Sequence, residues 1–166
     1  MKTIEKYSEI IVNWTAKLMF AAANNVGKCA YFKDENAHWD YYTDNFCAYG
    51  VPEVLNMCKT ESKHIVQLSD RFLKNLPERE LFLTSRVEMY KKPYEKKAVP
   101  VSILKDSEGN ETFINQKYLK PLEKYPYPFK FVQHSTLSAV YAIDVNTDIV
   151  IALIMPINPT FRNKEV

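Results

Sequence analysis

The chain has 166 residues, of which 46% are hydrophobic and 25% are charged, and its formal net charge is +2. This length fits a single domain spanning residues 1–166, and the composition is that of a folded globular protein, which excludes a disordered chain. The near balance of acids and bases excludes a chain-wide field toward DNA or an anionic membrane.

The N-terminal segment predicts an amphipathic helix, because its apolar and aromatic residues recur at alternating steps of three and four. They are Ile4, Tyr7, Ile11, Trp14, Leu18 and Ala21. Thr3 can cap this helix and Gly27 can close it. The segment lacks both the apolar centre of a signal peptide and a transmembrane run, so we expect a cytoplasmic protein without a membrane partner.

Residues 34–49 are acidic and aromatic without a clear period, and they predict a negatively charged loop that follows a short strand at "KCAYF". Residues 31–60 contain five acids and only two lysines. Such a surface can imitate nucleic acid toward a basic protein partner. The candidate partner-binding residues are therefore Asp34, Glu35, Trp39, Asp40, Tyr41, Tyr42 and Asp44.

A second helical region is predicted to begin at Pro52, where proline suits a first helical turn and Glu53 favours the positive helix end. Apolar residues continue at helical spacing until Pro77 stops the helix. They are Ile65, Leu68, Phe72 and Leu76.

The rest of the chain predicts strands. "LFLTSRVEMY" favours a strand, and "AVPVSIL" and "TFIN" predict a hairpin with its turn at Glu108, Gly109 and Asn110. "STLSAVYAI" and "IVIALIMPI" flank "DVNTD" as the clearest hairpin, apolar enough for central strands or a homodimer interface. The sequence thus predicts an α+β fold: an amphipathic N-terminal helix and a second helical region packed on a mainly antiparallel sheet of residues 81–155.

Side chains that could carry chemistry are few. Cys29, His38, Cys47 and Cys58 are of the kinds that bind zinc, but they are separated by eight, eight and ten residues and form no Cys-x-x-Cys pair. Whether they converge depends on the fold. We therefore predict free thiols, no metal and no cofactor, and keep Cys47 with His64 as the pair to test for a cysteine nucleophile.

His134 is the other candidate for catalysis. His134-Ser135-Thr136 matches one half of the paired His-x-Thr/Ser motif of two-histidine phosphoesterases, but the sequences around His38 and His64 do not supply the second half. A small enzyme that uses His134, with His64 or Cys47 as its helper, is accordingly an alternative function.

A second alternative is a nucleic-acid-binding module in residues 90–131, which hold nine lysines and five acids among many rings. Lysines can follow a phosphate backbone while bases stack on rings. The candidate residues are Lys117, Tyr118, Lys120, Lys124, Tyr125 and Tyr127. The segment contains no arginine, and Pro121, Pro126 and Pro128 could instead lay its tyrosines on the protein's own core.

The preferred function is a small intracellular non-catalytic binding protein that acts by protein–protein contact, through the acidic and aromatic residues 34–49, the lysine- and tyrosine-rich residues 90–131, or both. The abundance of Lys, Tyr, Phe, Asn and Ile is typical of AT-rich genomes, and it suggests an accessory or inhibitor protein of a phage or other mobile element.

Overall fold

The computed structural model describes residues 30–34, 39–43, 46–52, 75–91 and 95–158. These residues form a nine-stranded sheet in the order β1-β2-β3-β9-β8-β7-β4-β5-β6, and every neighbouring pair is antiparallel. The strands are β1 Ala30–Asp34, β2 Trp39–Thr43, β3 Cys47–Pro52, β4 Arg79–Tyr90, β5 Val99–Lys105, β6 Glu111–Asn115, β7 Phe129–Gln133, β8 Val140–Asp144 and β9 Val150–Ile154. Two short 3-10 helices, Gln116–Tyr118 and Leu122–Lys124, lie between β6 and β7.

The main core lies around β8 and β9, whose residues are all buried, so both faces of these strands are covered. Tyr41 of β2 reaches this core and donates its hydroxyl hydrogen to the carbonyl oxygen of Val150 over 2.7 Å. Tyr41 stands opposite Gly50 in the β2–β3 register. A Cβ atom at Gly50 would lie 2.7 Å from Cε3 of Trp39, so the packing of the two rings requires a glycine there.

The far end of the sheet returns toward β9. The backbone N–H of Ile157, just after β9, donates to the carbonyl oxygen of Phe113 in β6 over 2.7 Å. Leu104 of β5 and Ile114 of β6 also belong to the main core cluster. A smaller cluster of Val101, Ile103 and Phe113 covers the opposite face. Within the described part, apolar side chains therefore cover both faces of β5 and β6.

The α+β prediction is wrong. In the part of the chain that the structure describes, helical structure is limited to the two 3-10 helices, and the sheet begins at Ala30 instead of near residue 81. The predicted N-terminal helix, and residues 53–74 of the second helical region, lie outside the described residues. Pro52 ends β3 and does not begin a helix.

The loop predicted for residues 34–49 is also wrong, because these residues contribute to β2 and β3. Trp39, Tyr41 and Thr43 alternate along β2, and all three are buried. This period of two was hidden, since residues 40 and 42 between them are an acid and another aromatic.

The later strands confirm the sequence analysis. β4 coincides with the strand predicted at "LFLTSRVEMY", and β5 and β6 form the predicted hairpin, with Gly109 at a φ of 86° in its turn. β8 and β9 form the last hairpin. Because both of its arms are buried inside the chain, that hairpin is core and does not offer the homodimer interface considered for it.

β4 changes its partner along its length. It has 12 residues, whereas its neighbours β7 and β5 have 5 and 7. Residues 79–81 pair with β7, and residues 82–90 pair with β5. We call residues 82–90 the outer segment of β4. Among the described strands, β5 is the only one that pairs with this segment, and we call its second edge, which no described strand covers, the open edge.

Arg79 anchors the start of β4. Its Nε donates to Oδ2 of Asp106 over 2.8 Å, and its Nη2 lies 2.7 Å from the same oxygen at an angle that makes no further hydrogen bond. Its Nη1 lies 3.4 Å from Oε1 of the fully buried Gln133, which also accepts a 2.8 Å hydrogen bond from Thr112. This anchor ties β4 to β7 and to the β5–β6 turn where the partner changes.

Asp106 is the acceptor around which the β5–β6 turn is built. Its carboxylate accepts from the backbone N–H groups of Glu108 and Asn110 and from the Asn110 side-chain amide, between 2.8 and 3.0 Å. The side-chain bond from Asn110, helped by Arg79, lowers the pKa of Asp106 to about 2 from its ordinary 3.8. Burial acts in the opposite direction and is outweighed.

We expect Asp106→Asn to lower the free energy of unfolding at neutral pH, and the difference from wild type to shrink in acid. The folded-state pKa lies below 3.8, so the stabilisation by the carboxylate is complete above that value and is lost as the pH falls through about 2. Urea unfolding of both proteins across this range measures the effect. Glu123→Gln, at an exposed position, should follow wild type throughout. A difference for Asp106→Asn that stays constant into acid would contradict a role for its charge.

Candidate functional site

The acidic and aromatic residues predicted to bind a partner do not form an exposed patch among the described side chains. Trp39 and Tyr41 are 5% and 0% exposed and belong to the main core. Residues Glu35 and Asp44, and the side chains of Asp34, Asp40 and Tyr42, lie outside the described part. The two buried rings are therefore structural, and a binding role for the other residues stays a prediction.

We call residues 117–127, which hold the candidate nucleic-acid-binding residues, the Lys/Tyr segment, and its rings pack toward the protein core. Tyr125 is buried, and its hydroxyl donates a 2.6 Å hydrogen bond to Oδ2 of the buried Asp144. Burial, followed by this acceptor, raises the pKa of the Tyr125 phenol, which stays protonated as a donor. The Tyr125 ring also packs edge-on against Tyr127 and Phe129, with ring centroids 5.7 and 6.0 Å apart. The central ring of the segment is unavailable for stacking on a base.

The lysines of the same segment lie at the surface. Lys117, Lys120 and Lys124 are exposed, and Nζ of Lys117 lies 4.7 Å from the centroid of its neighbour Tyr118. The carbonyl oxygen of Tyr118 accepts a 2.8 Å hydrogen bond from the hydroxyl of Tyr49, which holds the segment against β3. The structure thus separates the cations from the central ring that a nucleic-acid surface would need beside them.

The catalytic candidates are not assembled among the described residues. His134 is exposed, with Nε2 3.0 Å from the carbonyl oxygen of Asn75 and its ring packed edge-on against Tyr141. Cys47 is buried, and its Sγ lies 3.9 Å from the carbonyl oxygen of Ala48. His64, its proposed helper, lies outside the described part.

The metal ligands considered from sequence are likewise not brought together in the described part. Cys29, His38 and Cys58 lie outside it, and no group of three His, Cys, Asp or Glu residues within it could hold a metal ion. None of the helices in this part has the length and apolarity needed to cross a lipid bilayer.

A shallow groove of about 410 Å³ lies beside the Arg79 anchor, at the start of β4. It is lined by Glu78, Arg79, Glu80, Phe82, Asp106, Ser107 and Glu108. The ion pair between Arg79 and Asp106 neutralises its two most enclosed charges, and Glu80 is paired with Lys130 over 3.2 Å. The groove is explained by the anchor and does not indicate a ligand.

The outer segment of β4 is the surface that sequence analysis missed. Four of the eight large hydrophobic side chains that are exposed in the described part lie on it. They are Phe82, Leu83, Val87 and Met89, with exposed fractions of 58%, 54%, 48% and 67%. Apolar side chains clustered on one strand, beside an open sheet edge, are typical of a site that another chain covers.

These side chains are exposed because the core ends at Leu81 and does not reach the outer segment of β4. Leu83 stands opposite Leu104, so the two side chains project from the same face of the sheet. Leu104 is fully buried in the main core, whereas Leu83 is more than half exposed. Val87 and Met89 follow Leu83 on this face, opposite Ser102 and Pro100.

The opposite face of the outer segment is charged. Three residues, 84–86, stand opposite the single residue Ile103 in a bulge, and Thr84 closes the bulge with a 2.9 Å hydrogen bond to the Ile103 carbonyl. Arg86 leaves the bulge and pairs with Glu88 at 2.7 Å and with Glu111 of β6 at 3.0 Å. The outer segment therefore carries three of its four exposed apolar side chains on one face, and the ion-pair cluster together with Phe82 on the other.

Neither a protein-family model, nor a curated protein, nor a solved structure matches this chain. The candidate site consequently depends on geometry alone. The sequence signal that could have indicated it is the run Leu81, Phe82 and Leu83, because adjacent strand residues point to opposite faces and such a run is either covered on both faces or exposes an apolar side chain.

We expect the Lys/Tyr segment to stabilise the fold through Tyr125 and not through its lysines. Tyr125→Phe removes a donor from a buried carboxylate, which costs about 1.5–3 kcal/mol of unfolding free energy. The matched triple variant, Lys117→Ala with Lys120→Ala and Lys124→Ala, changes exposed positions and should shift it by about 0.5 kcal/mol or less. Urea unfolding measures both. An equal loss in the two variants, or none in Tyr125→Phe, would contradict this assignment.

Proposed function

We propose that this protein is a non-catalytic binding protein that recognises another polypeptide along the outer segment of β4. The observation that carries the proposal is the coincidence, on one strand, of exposed apolar side chains and an edge open to strand pairing. The proposal keeps the protein–protein contact expected from sequence, and it moves the contact from residues 34–49 to β4. The phage or inhibitor role stays a prediction.

An open strand edge supports binding by strand addition. Unpaired backbone N–H and C=O groups of an edge strand can bond an extended partner segment, while side chains on the two faces select its sequence. Here Val87 and Met89 offer apolar contacts on one face, and Arg86 and Glu88 offer charges on the other. A fitting partner segment is an extended strand with apolar side chains at alternate positions.

The bulge supports the same role. Bulges occur at sheet edges, where they bend a strand and redirect its side chains. In this chain the bulge at residues 84–86 sits between the part of β4 next to the core and the exposed end that carries Val87 and Met89. The regular pairing of residues 87–90 with β5 resumes beyond it and keeps the exposed end extended.

Position-specific photocrosslinking tests the proposal. A photoreactive phenylalanine analogue replaces Met89 in one protein and Val145 in a matched control, because Val145 is a comparably exposed apolar residue, at 51%, in the β8–β9 turn. Each protein is irradiated in an extract of the cells that produce it, and the adducts are identified by mass spectrometry. We expect adducts with polypeptide segments at position 89 and few at position 145.

Competition shows whether the adducts report a specific surface. Excess unmodified protein should suppress the adducts that position 89 forms with a foreign chain, or should itself enter the adducts, whereas the double variant Val87→Lys with Met89→Lys should do neither. Equal adduct yields at positions 89 and 145, or equal competition by the double variant, would overturn the proposed function.

A further inference from the structure

The centre of the outer segment has a self-complementary pattern. Arg86, Val87 and Glu88 place a cation and an anion on one face, with an apolar residue between them on the other. Within the chain, Arg86 already pairs with Glu88 at 2.7 Å and with Glu111 at 3.0 Å, while its side chain is still 46% exposed. The cluster is therefore accessible to a strand that pairs with the open edge.

Symmetry restricts how two copies of one strand can pair. Two copies related by a two-fold axis pair antiparallel, and directly opposed residues must project from the same face. Because successive residues alternate between faces, a symmetric pair must place some residue opposite its own copy. The possible registers near the exposed end of β4 are consequently centred on Arg86, Val87, Glu88 or Met89.

The charges of Arg86 and Glu88 make these registers differ in stability. A register centred on Arg86 or on Glu88 opposes like charges on the axis, which destabilises a strand pair. A register centred on Met89 sets Glu88 against Tyr90 and gains no ion pair between Arg86 and Glu88. The register centred on Val87 places each Arg86 opposite Glu88 of the other copy, and it joins the two apolar side chains of Val87.

We propose that the polypeptide that covers the outer segment is a second copy of this chain, paired antiparallel to β4 with Val87 on the two-fold axis. This inference rests on the proposed function, and it names the occupant of the same edge. In the dimer, the two Arg86–Glu88 clusters join across the axis, and Met89 lies opposite Ser85 of the other copy. The dimer and any foreign partner compete for one edge.

The charges on this edge do not fit a device that prevents pairing. Edge strands are protected by charges that oppose one another when two edges meet, such as lysines at the crossing point. On β4, one cation and one anion flank the central apolar residue, so the Val87 register brings together unlike charges. The same pattern opposes like charges in the adjacent registers, which selects a single alignment.

Charge reversal tests the dimer and its register together. Arg86→Glu gives a strand with two anions, and Glu88→Arg gives one with two cations, so each variant alone should self-associate about tenfold or more weakly than wild type. An equimolar mixture of the two should form a heterodimer, because every opposed pair is again unlike. The double variant Arg86→Glu with Glu88→Arg should regain the homodimer.

Sedimentation equilibrium over a wide concentration range measures the mass of each protein against the 19.4 kDa chain, and native mass spectrometry with one isotope-labelled variant identifies the heterodimer. Lys130→Glu is the matched control, because it reverses an exposed charge that pairs with Glu80 outside the outer segment. Its dimer should match wild type. Circular dichroism shows that each variant is folded.

Two results would overturn the inference: a wild type that stays monomeric at every concentration, or a mixture that associates no better than its separate components. Photocrosslinking at position 89 keeps this failure distinct from that of the proposed function. If the protein is monomeric and gives adducts with a foreign chain, the proposed function is supported and the dimer is ruled out. If position 89 gives no polypeptide adducts, both the proposed function and the dimer are ruled out.

Discussion

The architecture depends on the anchor at Arg79, where β4 leaves one partner strand and takes another. The guanidinium joins Asp106 of the β5–β6 turn to Gln133 of β7, so the three strands are fixed at a single point. Donors surround the Asp106 carboxylate, with the Asn110 side chain first among them, and they lower the pKa of Asp106. Beyond Leu81, β4 pairs with β5, and no described strand pairs with its side toward β7.

Because of this change of partner, β4 has a buried apolar residue in its first part and exposed apolar residues in its outer segment. The inner residue Leu81 is buried in the main core, while Leu83, two residues later on the same strand, is more than half exposed. The regular pairing of residues 87–90 with β5 and the ion pairs of Arg86 then keep the exposed end extended. An extended strand that exposes apolar side chains and has one edge without a described partner strand suits recognition of another strand.

The sequence could predict individual strands and hairpins after residue 80, but it could not predict the order in which the strands pair in the sheet. Alternation and turn residues predicted β4, the β5–β6 hairpin around Gly109, and the β8–β9 hairpin, because these features are set by neighbours in the chain. The strand at Trp39 was missed, since an aromatic at Tyr42 and an acid at Asp40 masked its period. The open edge could not be predicted, because it arises from lengths and pairings of strands distant in sequence.

Amide hydrogen exchange in dilute protein, followed residue by residue by NMR, tests most directly whether the edge of β4 is open. The account predicts that the amides of residues 82–90 that turn away from β5 exchange as fast as the amides of the exposed residues 96–98. The amides of β8 provide the slow reference, since that strand is buried and paired on both sides. Uniform protection of residues 82–90 at the level of β8 in dilute protein would show a covered edge and contradict the account.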